Sequence, residues 1–114
     1  MECALKWISR LKIRKTVQGL ATWSTGGATT KCGIPWTYNE GMTTAVGDKS
    51  PYRCGQVLKV KNKSTQDQKE IMVVVVDQVK GFPDNKLNLH KKAFEALGSS
   101  ASVGIIEIEI TPIG

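Results

Sequence analysis

The stretch EIMVVVVD, residues 70 to 77, sets Ile71 and Val73 to Val76 ahead of a single acid, Asp77. It reads as the strongest strand of the chain, and its unbroken apolar run predicts burial on both faces of a sheet. In a chain of 114 residues there is room for one modest core, so the rest of the fold has to be built around this strand.

The surrounding segments agree with that demand. TVQGLATW (16 to 23) alternates loosely and runs into STGGATT, a turn cluster. MTTAV (42 to 46) is a short strand closed by the turn signal GDKSP. GQVLKVKN sets Val57, Leu58 and Val60 among polar residues, with KSTQDQK as a polar hairpin loop after it. KGFPDNK is a loop around Pro83. LHKKAFEALG carries Leu89, Ala93, Phe94 and Leu97 at helical spacing, with Gly98 as its cap. VGIIEIEIT closes the chain as a strand with Ile106, Ile108 and Ile110 on one face and Glu107 and Glu109 on the other. The expected fold is mainly β, with many short strands and one short helix, which suggests a barrel.

Charge is unevenly spread. The net charge is +6, yet residues 1 to 15 hold five basic side chains and one acid, so the body from residue 16 is nearly neutral. Nucleic-acid binding would have to rest on that leader or on KVKNK (59 to 63), which is too little to expect it. The leader reads as a basic appendage outside the barrel, or alternatively as a weakly amphipathic helix for an interface or partner. It lacks the apolar stretch and cleavage site of a secretory signal, and no apolar run is long enough for a membrane helix. Cys3, Cys32 and Cys54 allow one disulfide and a spare thiol, or three free thiols. There is no CxxC pair, and His90 is the only histidine, so neither a metal nor another cofactor is expected.

In order and spacing these pieces resemble the double-psi β-barrel of the expansin, barwin and RlpA-like families. GLATW (Gly19 to Trp23) is similar to the opening strand, and KCG and RCGQVLKV to two cysteine-glycine elements of secreted members. VVVVDQ is similar to the central strand ending in an acid, and LNLHKKAFEALG with VGIIEIEI to the helix approach and closing strand. The resemblance spans about residues 17 to 111 and is nearest to stand-alone secreted members, plant natriuretic-peptide-like or fungal barwin-like. It implies a six-stranded double-psi β-barrel over residues 16 to 114, and a disulfide between Cys32 and Cys54. The sequon NKS at Asn62 agrees with secretion and marks a candidate glycosylation site on a hairpin loop.

The resemblance also implies a groove with an acid at the end of the central strand and another eleven residues later. The first position is Asp77; the second is Asn88; the opening-strand threonine beside them is Thr22. The aromatic that usually comes two positions after the first acid is replaced by Val79. Glycoside hydrolysis uses a carboxylic acid and a second carboxylate across the ring, and an asparagine amide has no proton to give. Hydrolysis is therefore disfavoured, although a lytic transglycosylase working through Asp77 alone stays open. So do plainer roles: Asp77 bracing a loop, Asn88 capping the helix, Thr22 as an ordinary strand residue, His90 as a solvated polar group in the first helical turn. Trp23, Trp36, Tyr38 and Tyr52 are candidate stacking surfaces for sugar rings, with Trp36 and Tyr38 in the loop GIPWTYNEG, though core packing would explain aromatics as well.

The resulting expectation is a monomeric, non-catalytic, secreted wall-associated protein that binds polysaccharide through Thr22, Trp23, Trp36, Tyr38, Asp77 and Asn88. The alternatives are a glycan-cleaving enzyme using Asp77, and a protein-binding or protease-inhibitor module.

Overall fold

A computed structural model describes residues 15–27 and 29–114. The basic leader therefore lies outside the described residues except for Lys15, as do Cys3 and Trp7.

Six strands form a closed barrel: β1 (Val17–Ser24), β2 (Thr43–Gly47), β3 (Val57–Asn62), β4 (Glu70–Val79), β5 (Lys86–His90) and β6 (Ile106–Pro112). Around the barrel the order is β1-β5-β2-β4-β3-β6. β1 runs parallel to β5, and β2 parallel to β4, while every other neighbouring pair is antiparallel. Closure leaves no free edge among these six strands. One short helix, α1 (Lys91–Ala96), comes directly after β5.

Strand alternation fills the interior. Ile106, Ile108 and Ile110 of β6 point inward with Leu58 and Val60 of β3, Val73 and Val75 of β4, and Leu87 and Leu89 of β5. Phe94 and Leu97, fully buried, belong to the same core, so α1 packs onto the barrel through the face its spacing predicts. Gly98 lies just past the helix with φ +90°, a left-handed conformation that glycine takes without a Cβ clash.

Three expectations need correction. The segment KLNLH is a strand, so Leu89 belongs to β5 and Asn88 does not cap the helix. The cap is His90, whose Nδ1 accepts the Lys92 N–H at 3.0 Å. The run in β4 is not buried on both faces throughout, since Met72 is 49% exposed where the barrel surface faces outward. Asn62 is not on a loop. It ends β3 fully buried, donating through Nδ2 to the Leu97 carbonyl and to Ser99 Oγ, both at 2.9 Å, and accepting the Ser64 N–H at Oδ1. Its amide nitrogen ties the helix end to the barrel, and a glycan there would replace one of the two bonded hydrogens and need space the core does not have.

Candidate functional site

Strand register brings four distant segments together. Thr22 of β1 lies opposite Asn88 of β5, Asn88 opposite Ala45 of β2, and Ala45 opposite Asp77 of β4. The four residues form one row across four adjacent strands on the outside of the barrel. Neighbouring strands sit about 4.8 Å apart, so the backbone positions of Asn88 and Asp77 are separated by roughly 10 Å, with the small side chain of Ala45 between them.

Asp77 reaches that row because of an irregularity in β4. Val73 and Val75 point into the core, and strict alternation would send Asp77 inward after them. Between Thr44 and Ala45 the register shifts: Thr44 faces Val75, whereas Ala45 faces Asp77. Val76 is the extra residue of a β-bulge, and such a bulge re-aims the residues after it. Val76 turns instead into a small cluster with Trp36 and Ala45 outside the main core.

The polar groups of the row are held by directed hydrogen bonds. Thr22 Oγ1 donates to Asn88 Oδ1 at 3.1 Å, and Asn88 Nδ2 donates to Ser24 Oγ at 2.9 Å. These two contacts set which end of the amide is which. Each amide atom keeps unused capacity, one N–H and one lone pair. Asp77 Oδ1 accepts the backbone N–H of Lys31 and of Gln78, each at 2.9 Å. Its Oδ2 has no hydrogen bond to a described residue. Lys31 precedes Cys32, and a disulfide joins Cys32 to Cys54 with a Cα–Cα distance of 5.4 Å, so the bridge pins the loop that supplies this amide.

Of the three aromatics expected on this face, one is open to solvent. Tyr38 is 52% exposed, in a turn whose next residues, Asn39 and Glu40, take φ of 56° and 58°. Trp36 is only 5% exposed; its loop lays it against Ala45 and Val76, with the His90 ring 6.0 Å away. Trp23 neighbours Thr22 in the strand and so faces the opposite way. It lies beside Leu89, packs on the main core and donates its indole N–H to the Ala101 carbonyl at 2.7 Å. A platform of three exposed rings is thus reduced to Tyr38.

Ser24 and His90 were missed as parts of this region. Ser24 is two residues after Thr22 and therefore on the same face, which the strand period could have shown. The His90 imidazole is held below the usual histidine range by burial and then by the charge of Lys92. No cluster of potential metal ligands occurs among the described residues. No described helix is long and apolar enough to cross a membrane.

No family model and no curated protein matches the sequence. Solved structures do. Clavibacter michiganensis expansin matches with a TM-score of 0.71 at 27% identity, covering 87% of this chain and 50% of that one. A variant of that expansin with one aspartate changed to asparagine, in complex with cellohexaose, matches with a TM-score of 0.71 at 28% identity and the same coverage. The chain spans half the length of these expansin structures. The Streptomyces papain inhibitor matches with a TM-score of 0.65 at 18% identity, over 88% of this chain and 96% of that one. Cerato-platanin 2 from M. perniciosa matches with a TM-score of 0.64 at 15% identity, over 86% and 95%. The chain has the double-psi β-barrel fold of these proteins, as its sequence resemblance implied.

Proposed function

We propose that this expansin-like double-psi β-barrel binds polysaccharide without cleaving it, along the row Thr22, Asn88, Ala45 and Asp77. The observation that carries the reading is the oriented amide of Asn88, fixed by Thr22 and Ser24 and set across Ala45 from Asp77. An amide and a carboxylate on either side of Ala45, which Trp36 covers, can hold sugar hydroxyls as donor and acceptor. They supply one titratable group where hydrolysis by the common routes needs two. The match to an expansin variant in complex with cellohexaose, half of whose length this chain spans, supports a saccharide ligand and makes a β-glucan the first to try. Tyr38 is the stacking surface, and Trp23 is a core residue. The disulfide and the related secreted or wall-associated families support an extracellular or cell-wall setting, in which the protein acts as a monomer in wall loosening, defence or signalling.

The test is to incubate the protein with insoluble cellulose, chitin, mixed plant wall and peptidoglycan and measure depletion from solution. Depletion on one of them, lowered about tenfold by Asp77→Ala and accompanied by no release of reducing sugar, is the expected result. Sugar release that Asp77→Ala abolishes would make the protein an enzyme. The second reading, a protein-binding module, is favoured by the likeness to the papain inhibitor over nearly its whole length. Depletion on none of the four materials would move the assignment there.

A further inference from the structure

We infer that Trp36 is a concealed part of the saccharide-binding face, covered by Gly26 and uncovered when a sugar hydroxyl engages Asn88; the inference rests on the polysaccharide reading above.

Trp36 is 5% exposed, and its indole Nε1 is buried with no hydrogen-bond partner among the described residues. Buried donors are rarely left that way, because the unmade bond costs free energy that only an acceptor restores. The position of the orphan is informative. The ring rests on Ala45 and Val76, the floor of the row and the neighbour of Asp77. A Cβ built on Gly26 would overlap Trp36 Cδ1, Nε1 and Cγ, so the N–H edge lies directly beneath the Gly26 backbone. Gly26 itself is exposed and has φ +74°. Gly26, a residue without a side chain, therefore lies against the indole edge on the side that faces solvent.

The cover is tied to the row by a shared atom. Ser24 Oγ accepts the Gly26 N–H at 3.3 Å and also accepts from Asn88 Nδ2 at 2.9 Å. A hydroxyl oxygen has two acceptor positions, and both are taken. A sugar hydroxyl that accepts the unused N–H of Asn88 can donate its own proton to Ser24 Oγ, and it then takes the acceptor position of the longer of the two bonds, the one that holds Gly26. Displacing Gly26 then presents the indole N–H and ring edge beside Ala45, between the two polar ends of the row. A second sugar hydroxyl satisfies the orphaned donor, and the ring offers the flat apolar surface that saccharide CH faces stack on. The ligand-bound state thus adds a second aromatic to the exposed ring of Tyr38.

The test uses the full ¹⁵N-labelled chain. The indole N–H resonance of Trp36 is identified by its loss in Trp36→Phe and monitored during titration with cellohexaose. The expected result is a large shift of that resonance together with the Gly26 amide, and an affinity lowered about five- to tenfold in Trp36→Phe. In Ser24→Ala, without sugar, the same indole proton should exchange with solvent about tenfold faster, because the cover has lost its latch. If cellohexaose shifts the Asn88 side-chain amide but leaves the Trp36 indole unmoved and Trp36→Phe binds as the parent does, the inference fails while the polysaccharide reading stands. If no resonance of the row responds to cellohexaose, chitin or peptidoglycan fragments, both fail together.

Discussion

The barrel has two outer faces built by opposite means. On the front, β1, β5, β2 and β4 carry Thr22, Asn88, Ala45 and Asp77, with parallel pairs at each side of the central β5–β2 ladder. On the back, β3, β6 and the start of β4 are wholly antiparallel and carry a lysine–glutamate lattice. Lys61 Nζ lies 3.3 Å from Glu70, Lys59 Nζ 3.9 Å from the same residue, and Lys63 Nζ 3.7 Å from Glu109. Gln18 donates to Glu109 at 2.8 Å, which more than the nearby lysines holds that carboxyl below its usual range. The back is many exchangeable charges in water. The front is a few directed hydrogen bonds between neutral groups and one carboxylate, under a loop that a disulfide fastens. Specific recognition needs groups whose orientation is fixed before the ligand arrives, and only the front provides them.

The largest blow to this contrast comes from the bridge. Replacing Cys32 and Cys54 by serine should cost about 3 kcal/mol in urea unfolding and should also release the Lys31 amide from Asp77, so polysaccharide binding falls while the back face is untouched. Unchanged binding in a destabilised double serine variant would show that the loop needs no staple to hold Asp77. Next, Asn62→Ala should cost about 1 to 3 kcal/mol, because Ser64 and Ser99 lose their partner inside the protein. Mass spectrometry of the chain made in a glycosylating host should show no glycan on Asn62.

A smaller effect is expected from acid. Burial and Lys92 lower the His90 pKa in the folded state, so the unfolded chain takes up the proton first. The His90 contribution is complete above the ordinary histidine pKa of about 6.5 and is lost as pH falls through the lower folded value. Protonation also removes the acceptor of the helix cap. Thermal melts from pH 7.5 to 5 should show this decline, and His90→Asn, which caps without titrating, should flatten it. The smallest effect belongs to the back. Lys61→Ala should change stability by less than about 1 kcal/mol and leave glycan binding as it was, since exposed ion pairs contribute little. A binding defect in that variant would overturn the division into two faces.

Much of this was legible in residue order. The alternation of Ile106, Ile108 and Ile110, the helical spacing of Phe94 and Leu97, and the glycine after the helix act over neighbours in the chain, and all appear where expected. β5 was hidden by overlap: Leu89 fits both the helical face of α1 and the period-2 face that Leu87 begins, and the pairing of KLNLH with β1 and β2 resolved it. Cys32 and Cys54 were matched by resemblance, since spacing alone left three thiols open.

Residue order by itself determined five of the six strands, the helix with its closing glycine, and an acid, Asp77, followed eleven residues later by an asparagine. Tertiary structure decided which way the functional groups point. The bulge at Val76 turns Asp77 outward, the β1–β5–β2 register aligns Thr22, Asn88 and Ala45, and loop packing buries Trp36 and leaves Tyr38 exposed. The physical reason is range. Periodicity and turn chemistry act between residues a few positions apart, whereas register, bulges and burial are set by strands that meet only after the barrel has closed.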